Sequence, residues 1–324
     1  MEDEAILKTI AAAYPGSASD PASQLGIAKE QVVGAVEAWV AQGIPIEGDA
    51  TLGYRLNPPL PLVSEANVCA LLDGAGYSLP VEVRLCVELT SDVLVSKARQ
   101  GNASPEVLVA ELQSKGRGRQ GNAWVSPFAS NLYFSVLWPT SASPETVAAM
   151  TLAVGVTLAE VIEDLTGVSV QLKWPNDLYV RGRKLGGILV DWVSSGGASS
   201  AVIIGVGINV VMNQQDSSSA ITRPWTDLKR SGARTLNRDV LLGGALTAVL
   251  RLLEDYPQRG LAPYLERWAQ RDLLRGQHVV FGADEEACGE AVGVDASGAL
   301  LVATQHGTER VFAGDVRLRY EATQ

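Results

Sequence analysis

Histidine and cysteine are nearly missing from this chain, which has two histidines (His278, His306) and three cysteines (Cys69, Cys86, Cys288) in 324 residues. Two imidazoles are too few for a histidine-rich metal site. The thiols are far apart, odd in number and without CxxC spacing, so neither a disulfide framework nor a zinc ribbon is expected. Positive charge is scarce too, with 26 Lys and Arg against 36 Asp and Glu, a formal net charge of -10. So acidic a balance argues against a protein whose main task is to coat nucleic acid or an anionic membrane, while leaving room for a local cationic pocket. Long apolar runs are also lacking. The longest uncharged helical stretch, Thr146 to Ala159, falls short of a membrane span. The opening MEDEAILKTI carries acids where a secretory leader carries bases. A reducing cytoplasm is the expected compartment.

What is present is a globular composition, 47% hydrophobic and 19% charged, long enough for about two domains and a substantial core. Ile6, Leu7 and Ile10 recur at helical spacing up to the turn Pro15-Gly16. A short segment at Pro21 to Leu25 and a helix over Ala28 to Ala41 follow, then two short strands between Gly43 and Leu56. That order describes a winged helix-turn-helix over 1–62, closed by the linker-like Asn57 to Pro61. Residues 66–270 alternate strands and helices. The strands are Val81 to Leu89, Val107 to Glu111, Asn131 to Trp138, Val168 to Leu172, Gly187 to Trp192 and Ala201 to Ile208. The helices are Ser91 to Arg99, Pro144 to Thr166, Asp239 to Tyr256 and Leu261 to Gln270. Such a mixture reads as a mixed α/β core in an α+β chain. Five short strands in 271–324 suggest a small C-terminal SH3-like β-barrel.

Three stretches concentrate the chemistry. Gln113-Ser-Lys-Gly-Arg-Gly-Arg-Gln-Gly-Asn-Ala-Trp124 joins three glycines to Lys115, Arg117 and Arg119. Its glycines permit close backbone approach to an anion, and arginine forks match phosphate oxygens. A solvated surface loop and a nonspecific nucleic-acid loop fit the same composition. It is neither a Walker motif nor a Rossmann fingerprint. Lys173-Trp-Pro-Asn-Asp177 bends at a strand end, where Asn176 and Asp177 either face a ligand or form an Asx turn. Arg183-Lys-Leu-Gly-Gly-Ile-Leu-Val-Asp191 sets Lys184 before an apolar strand, as a phosphate-binding point charge or an edge gatekeeper. Gly205-Val-Gly-Ile-Asn209 ends the next strand.

Taken in order, these stretches resemble the biotin protein ligases, whose pattern is Gly-Arg-Gly-Arg, Lys-Trp-Pro-Asn-Asp, Lys-Leu-x-Gly-Ile-Leu and Gly-x-Gly-Ile-Asn. The three-part layout is similar to that of the bacterial bifunctional biotin ligase/repressors along essentially the whole chain. The resemblance implies an ATP-dependent biotin–[acetyl-CoA-carboxylase] ligase, with Mg2+ as cofactor and biotin and ATP as substrates. It implies a biotin carboxyl carrier protein as partner and a homodimer once the adenylate is bound. Thr90 and Ser91 occupy the family's Ser-Thr pair, which contacts the ureido ring, and Asp92 stands where Asn is usual. Gln113, Arg117, Arg119 and Lys184 would bind biotin. Arg119, Trp124, Lys173, Asn176, Asp177, Lys184 and Asn209 would bind ATP, with Asp177 touching Mg2+ indirectly and 211–222 ordering over the adenylate. Lys184, Arg119 and Lys173 would carry the catalysis. Gly121-Asn122 replaces a frequent Gly-Arg, so one cationic contact to the triphosphate is missing.

The resemblance also implies operator DNA binding by the helix-turn-helix at 19–41. Charge argues the other way, because residues 1–63 hold eight acids and three bases and the reading helix carries one lysine and two glutamates. Two other functions fit parts of the pattern: a lipoate or octanoate ligase or transferase of the same fold, and a winged-helix regulator that only senses a small ligand.

Overall fold

A computed structural model describes residues 2–12, 17–56, 61–194, 200–212, 221–234, 236–281, 287–312 and 316–318. Three helices, α1 (Glu2–Ala12), α2 (Pro21–Leu25) and α3 (Lys29–Ala41), lead into a hairpin of β1 (Ile46–Asp49) and β2 (Gly53–Leu56). Asp20 starts α2 by accepting from the Ser23 amide at 3.3 Å, and Pro21 takes the first helical position, where no amide hydrogen is needed. Asp49 tightens the hairpin tip by accepting from the Thr51 and Leu52 amides at 2.7 and 2.8 Å. Ile6, Leu7, Ile10, Val32, Val36, Tyr54 and Leu56 form one apolar cluster. That cluster continues into Leu85, Leu112 and Phe128, so the helical unit rests on the main body.

The chain then forms α4 (Glu65–Gly74), β3 (Val81–Val87), α5 (Thr90–Arg99), β4 (Glu106–Gln113), β5 (Leu132–Thr140) and α6 (Pro144–Thr166). After these come β6 (Gln171–Lys173), β7 (Asp177–Val180), β8 (Arg183–Ser194), β9 (Ser200–Ile208), α7 (Arg238–Arg259) and α8 (Leu265–Ala269). The seven strands make one sheet in the order β3-β4-β5-β9-β8-β7-β6. Only β3 and β4 run parallel. Period-two alternation splits its side chains. Val107, Val109, Phe134, Ile204 and Val206 join the cluster built with α6 and α7. Leu108, Leu137, Val193 and Ile203 pack on the other face with Leu94 and Ala98 of α5. Helix α4 and strand β7 have no counterpart in the sequence reading: α4 is ten residues long beside a proline-rich run, and β7 is four.

Helix α6 covers the whole expected span, capped by Ser143 and opened by Pro144. By length and composition it passes for a membrane span, contrary to the estimate from its uncharged core. Two thirds of its apolar window is buried against sheet and helix, so its hydrophobicity fills a core.

The C-terminal strands overturn the barrel expectation. β10 (His278–Phe281), β11 (Ala287–Val294), β12 (Leu300–Thr304), β13 (Gly307–Val311) and β14 (Arg317–Leu318) form an open sheet ordered β13-β12-β11-β10-β14. Its outermost strands, β13 and β14, do not pair among the described residues. The physical reason lies in where the sheet buries its apolar face. Val279, Phe281, Ala291, Leu300 and Val302 belong to the same cluster as α6 and the main sheet. The sheet borrows a core from its neighbour and has no need to close around one of its own.

Glu111 of β4 and Arg238 of α7 are buried together, 0% and 7% exposed, with Nη1 donating to Oε2 at 2.6 Å. Arg238 also donates to the carbonyls of Asn131 and Pro61, and Glu111 accepts from the Val63 amide. Removing one partner leaves a buried uncompensated charge. Arg238→Met is expected to cost about 3–5 kcal/mol of unfolding free energy. Urea denaturation checks this. Adding Glu111→Leu to Arg238→Met is expected to recover part of the loss, and a single variant as stable as wild type contradicts the assignment.

Candidate active site

One cavity of about 290 Å³ lies on the α5 side of the main sheet. It continues along the sheet past the helix N-terminus, over Gly187, Leu189, Gly205 and Gly207. The glycines leave this stretch of sheet bare, and a ligand can lie against backbone there. All eleven residues singled out from sequence border the cavity: Thr90, Ser91, Gln113, Arg117, Arg119, Trp124, Lys173, Asn176, Asp177, Lys184 and Asn209. They come from eight strands, helices and loops spread over 120 positions of chain.

Thr90 and Ser91 occupy the first turn of α5. Thr90 donates to Gln113 Oε1 from both its amide (3.0 Å) and its hydroxyl (3.1 Å), and its Oγ1 lies 2.8 Å from Ser135 Oγ. Gln113 Nε2 donates to Ser126 at 3.3 Å. Ser91 Oγ, by contrast, is buried with no protein partner, a polar atom that a ligand can satisfy. Of the two hydroxyls, Thr90 is committed to the protein and Ser91 is left for the cavity.

The glycine- and arginine-rich loop folds back on itself. The Trp124 amide donates to the Gly116 carbonyl at 2.8 Å, and the Gly118 amide to the Asn122 carbonyl at 2.8 Å. A Cβ on residue 116 would collide with the Trp124 carbonyl, which accounts for that glycine. Arg117 pairs with Asp92, so the acid standing in place of Asn holds the loop to α5. Lys115 turns away to pair with Glu88 at 2.7 Å on the surface and does not border the cavity. Behind the Arg117–Asp92 pair, burial pushes the Asp191 carboxyl above its usual range. Arg117 and Arg99 oppose that shift and Asp92 adds to it.

A β-bulge aims Lys184. Pairing runs Asp177 with Gly187 and Leu178 with Gly186, then skips to Tyr179 with Lys184. The extra residue in β8 moves Lys184 onto the face of Gly187 and Asp177. Its Nζ meets Asp177 Oδ1 at 2.7 Å, with the side chains 25% and 14% exposed. The same Nζ sits 5.4 Å from the centre of the Trp124 ring. Lys173 Nζ lies 5.9 Å from the Tyr179 ring centre.

Two expected ligand-facing amides spend their donors on the scaffold. Asn176 Nδ2 donates to the Ile188 carbonyl at 2.7 Å while the Ile188 amide donates to the Asn176 carbonyl at 2.9 Å, a cross-strand brace to β8. Asn209 Nδ2 donates to the Thr226 carbonyl at 3.0 Å, and its Oδ1 lies 3.5 Å from Asn131 Nδ2. Residues 211, 212, 221 and 222 of the expected ordering segment are described, and 213–220 lie outside the described residues. Ile221, Thr222, Arg223, Pro224 and Trp225 border the cavity as well. Arg223 and Trp225 belong to no sequence motif, and their place follows from the pairing of Pro224, Trp225 and Thr226 with Lys184. In all, five cations and one carboxylate line this cavity in a chain of net charge -10. Such a lining suits a small molecule with several negative charges.

Comparison with known proteins finds matches to family profiles, to sequences and to solved folds. The profile of the "Biotin/lipoate A/B protein ligase family" matches residues 85–209, and that of the "Biotin protein ligase C terminal domain" matches 275–319. The chain is 32% identical to the bifunctional ligase/repressor BirA of Escherichia coli, over 98% of this chain and 99% of that one. It is 30% identical to a biotin–[acetyl-CoA-carboxylase] ligase of Mycobacterium tuberculosis, over 81% of this chain and 97% of that one. The structure of a biotin protein ligase from Aquifex aeolicus in complex with biotin and ATP superposes with a TM-score of 0.64. It shares 26% identity and covers 75% of this chain and 99% of that one.

Trp124 owes its seat to Gly207, where a Cβ would lie 2.8 Å from the indole ring. With Trp124 at the adenine, as the family resemblance implies, Gly207→Ala is expected to displace the ring and weaken nucleotide binding roughly tenfold, about 1.4 kcal/mol. Titration calorimetry with a non-hydrolysable ATP analogue checks this, and unchanged affinity contradicts the seat.

Proposed function

The chain belongs to the biotin protein ligase family, and from that premise we propose that it activates biotin with ATP to biotinyl-5'-AMP and transfers the biotinyl group to one lysine of a biotin carboxyl carrier domain, that of acetyl-CoA carboxylase. The observation carrying this reading is the convergence of all eleven motif residues on one cationic cavity.

In the first half-reaction a carboxylate oxygen of biotin attacks the α-phosphorus of ATP, and pyrophosphate leaves. In the second, the carrier lysine's ε-amine attacks the carbonyl carbon of the mixed anhydride; AMP leaves and the amine gives up a proton. Neither step needs covalent participation by the protein. Both need alignment, charge balance and exclusion of water. Ser91 and Gln113, with Thr90 behind them, hold the ureido end of biotin. Arg117 and Arg119 close over biotin and the adenylate phosphate. Lys184 balances charge at the carboxylate and the α-phosphate, and Lys173 assists it from the nucleotide side. Trp124 borders the adenine, while Asn176 and Asn209 brace the strands beneath the nucleotide. The loop's glycines allow it to shut the site.

Magnesium fits this donor set in one way. No group of three metal-ligating side chains exists among the described residues, and Asp177 is a single carboxylate already paired with Lys184. The ion would therefore be held by ATP phosphate oxygens and water, with Asp177 as its protein contact, and would add positive charge at the phosphates.

Beyond Gly187, β8 pairs among the described residues with β9 on one side only, which supports a homodimer formed by extending the sheet. Three free thiols fit a reducing cytoplasm. For the N-terminal helices we favour structural contacts over operator binding. The exposed positions of α3 include Glu30, Gln31, Gly34, Glu37, Ala38 and Ala41, and Lys29 donates to the Ala50 carbonyl at 3.3 Å.

Biotin-dependent ATP–pyrophosphate exchange tests the activity. Lys184→Ala is expected to abolish exchange, a loss of roughly 100-fold or more, with an unchanged circular dichroism spectrum. Retained exchange would remove Lys184 from the mechanism, and a wild-type enzyme that uses lipoate and not biotin would move the chain to the rival substrate. A gel shift with the chain's own biotin-synthesis upstream region, biotin and ATP present, is expected to show no retardation. A shifted band at micromolar protein would restore the operator-binding role.

A further inference from the structure

We propose that Arg223, at the rim of the same cavity, is the residue that holds the β- and γ-phosphates of ATP and the departing pyrophosphate; the inference rests on the ATP-dependent reading above. The position carries no motif and becomes visible only through the pairing of its neighbours. The Lys184 amide donates to the Pro224 carbonyl at 3.0 Å, and the Thr226 amide donates to the Lys184 carbonyl at 2.9 Å. Lys184 and Trp225 form a parallel bridge. Asn209 braces the same strip through the Thr226 carbonyl, and the Arg230 guanidinium covers the Trp225 ring at 4.3 Å. Pro224 further restricts the backbone of the residue before it. Arg223 is thus carried on a fixed strip beside Lys184, and its side chain borders the cavity.

Depth in the cavity assigns the phosphate. Lys184 is mostly covered and already engaged with Asp177, a place suited to the α-phosphate and the reacting carboxylate. Arg223 is exposed, as are Gln120 and Asn122 among the lining residues. The polyphosphate end must point to this solvent-facing rim, because pyrophosphate has to leave while the adenylate stays. Gln120 and Asn122 are neutral, and Arg117, the other exposed cation of the lining, is tied to Asp92 beside α5, so the Arg223 guanidinium is the rim cation placed to meet that end, by a two-pronged contact. It supplies from another segment the contact that Asn122 lacks.

The test compares wild type, Arg223→Gln and Arg223→Lys in biotin-dependent exchange, with a thermal melt to verify folding. For Arg223→Gln the KM values for ATP and for pyrophosphate are each expected to rise about tenfold, with kcat moving less than about threefold. Arg223→Lys is expected to recover part of both. The release rate of biotinyl-5'-AMP, which lacks the β- and γ-phosphates, and the affinity for biotin alone are expected to stay at wild-type values. Unchanged KM values for ATP and pyrophosphate overturn the proposal. Faster adenylate release in Arg223→Gln also overturns it, by placing the contact on the α-phosphate. Absence of exchange in the wild type overturns the activity reading instead, so the two failures are distinct.

Discussion

The architecture hangs on a buried ion pair. Glu111 and Arg238 are 127 residues apart in sequence, yet together they gather strand β4, helix α7, the Pro61–Val63 segment and the carbonyl of Asn131. A pair so enclosed gives little net stability relative to apolar residues of the same size, but each charge forbids arrangements in which the other is displaced. The constraint is passed on by hydrogen bonds. Asn131 accepts from the Val210 amide at 2.8 Å and lies against Asn209, and Asn209 holds Thr226, whose amide binds the Lys184 carbonyl. A continuous polar line thus runs from the segment following the N-terminal unit to the lysine at the centre of the cavity.

Charge within the site is arranged by pairing. The protein is acidic as a whole, and two of its cavity cations carry their own carboxylate, Arg117 with Asp92 and Lys184 with Asp177. These partners preset the directions of long side chains that would otherwise pay entropy on ligand binding. An incoming anion competes for cations already in place. The bulge between β7 and β8 does the same for the backbone, turning a lysine that a regular strand would send to the opposite face.

Much of this was legible in one dimension. The spans of α2 and α6 follow from Asp20-Pro21 and Ser143-Pro144 caps and from helical apolar spacing, and those are local signals. The four motifs are contiguous stretches, so every site residue they contain could be named beforehand. Less local features escaped. The four-residue β7 is a strand because β6 and β8 flank it. The C-terminal strands were readable one by one, but not whether they would close or lie open, since that depends on a core contributed by α6 and the main sheet. Arg223 escaped for the same reason, as its place is set by pairing across to residue 184.

The sequence by itself determined the acidic balance with its cationic island, the succession of elements and the chemistry-bearing residue types, because composition, caps and periodicity act over a few residues. Tertiary structure decided which atoms face the ligand and which are spent on the scaffold. Ser91 over Thr90, the bracing amides of Asn176 and Asn209, Lys115 turned to Glu88 and Arg223 at the rim are outcomes of register and packing. So is the open C-terminal sheet. These depend on contacts between segments tens of residues apart, where no short stretch of chain holds both partners.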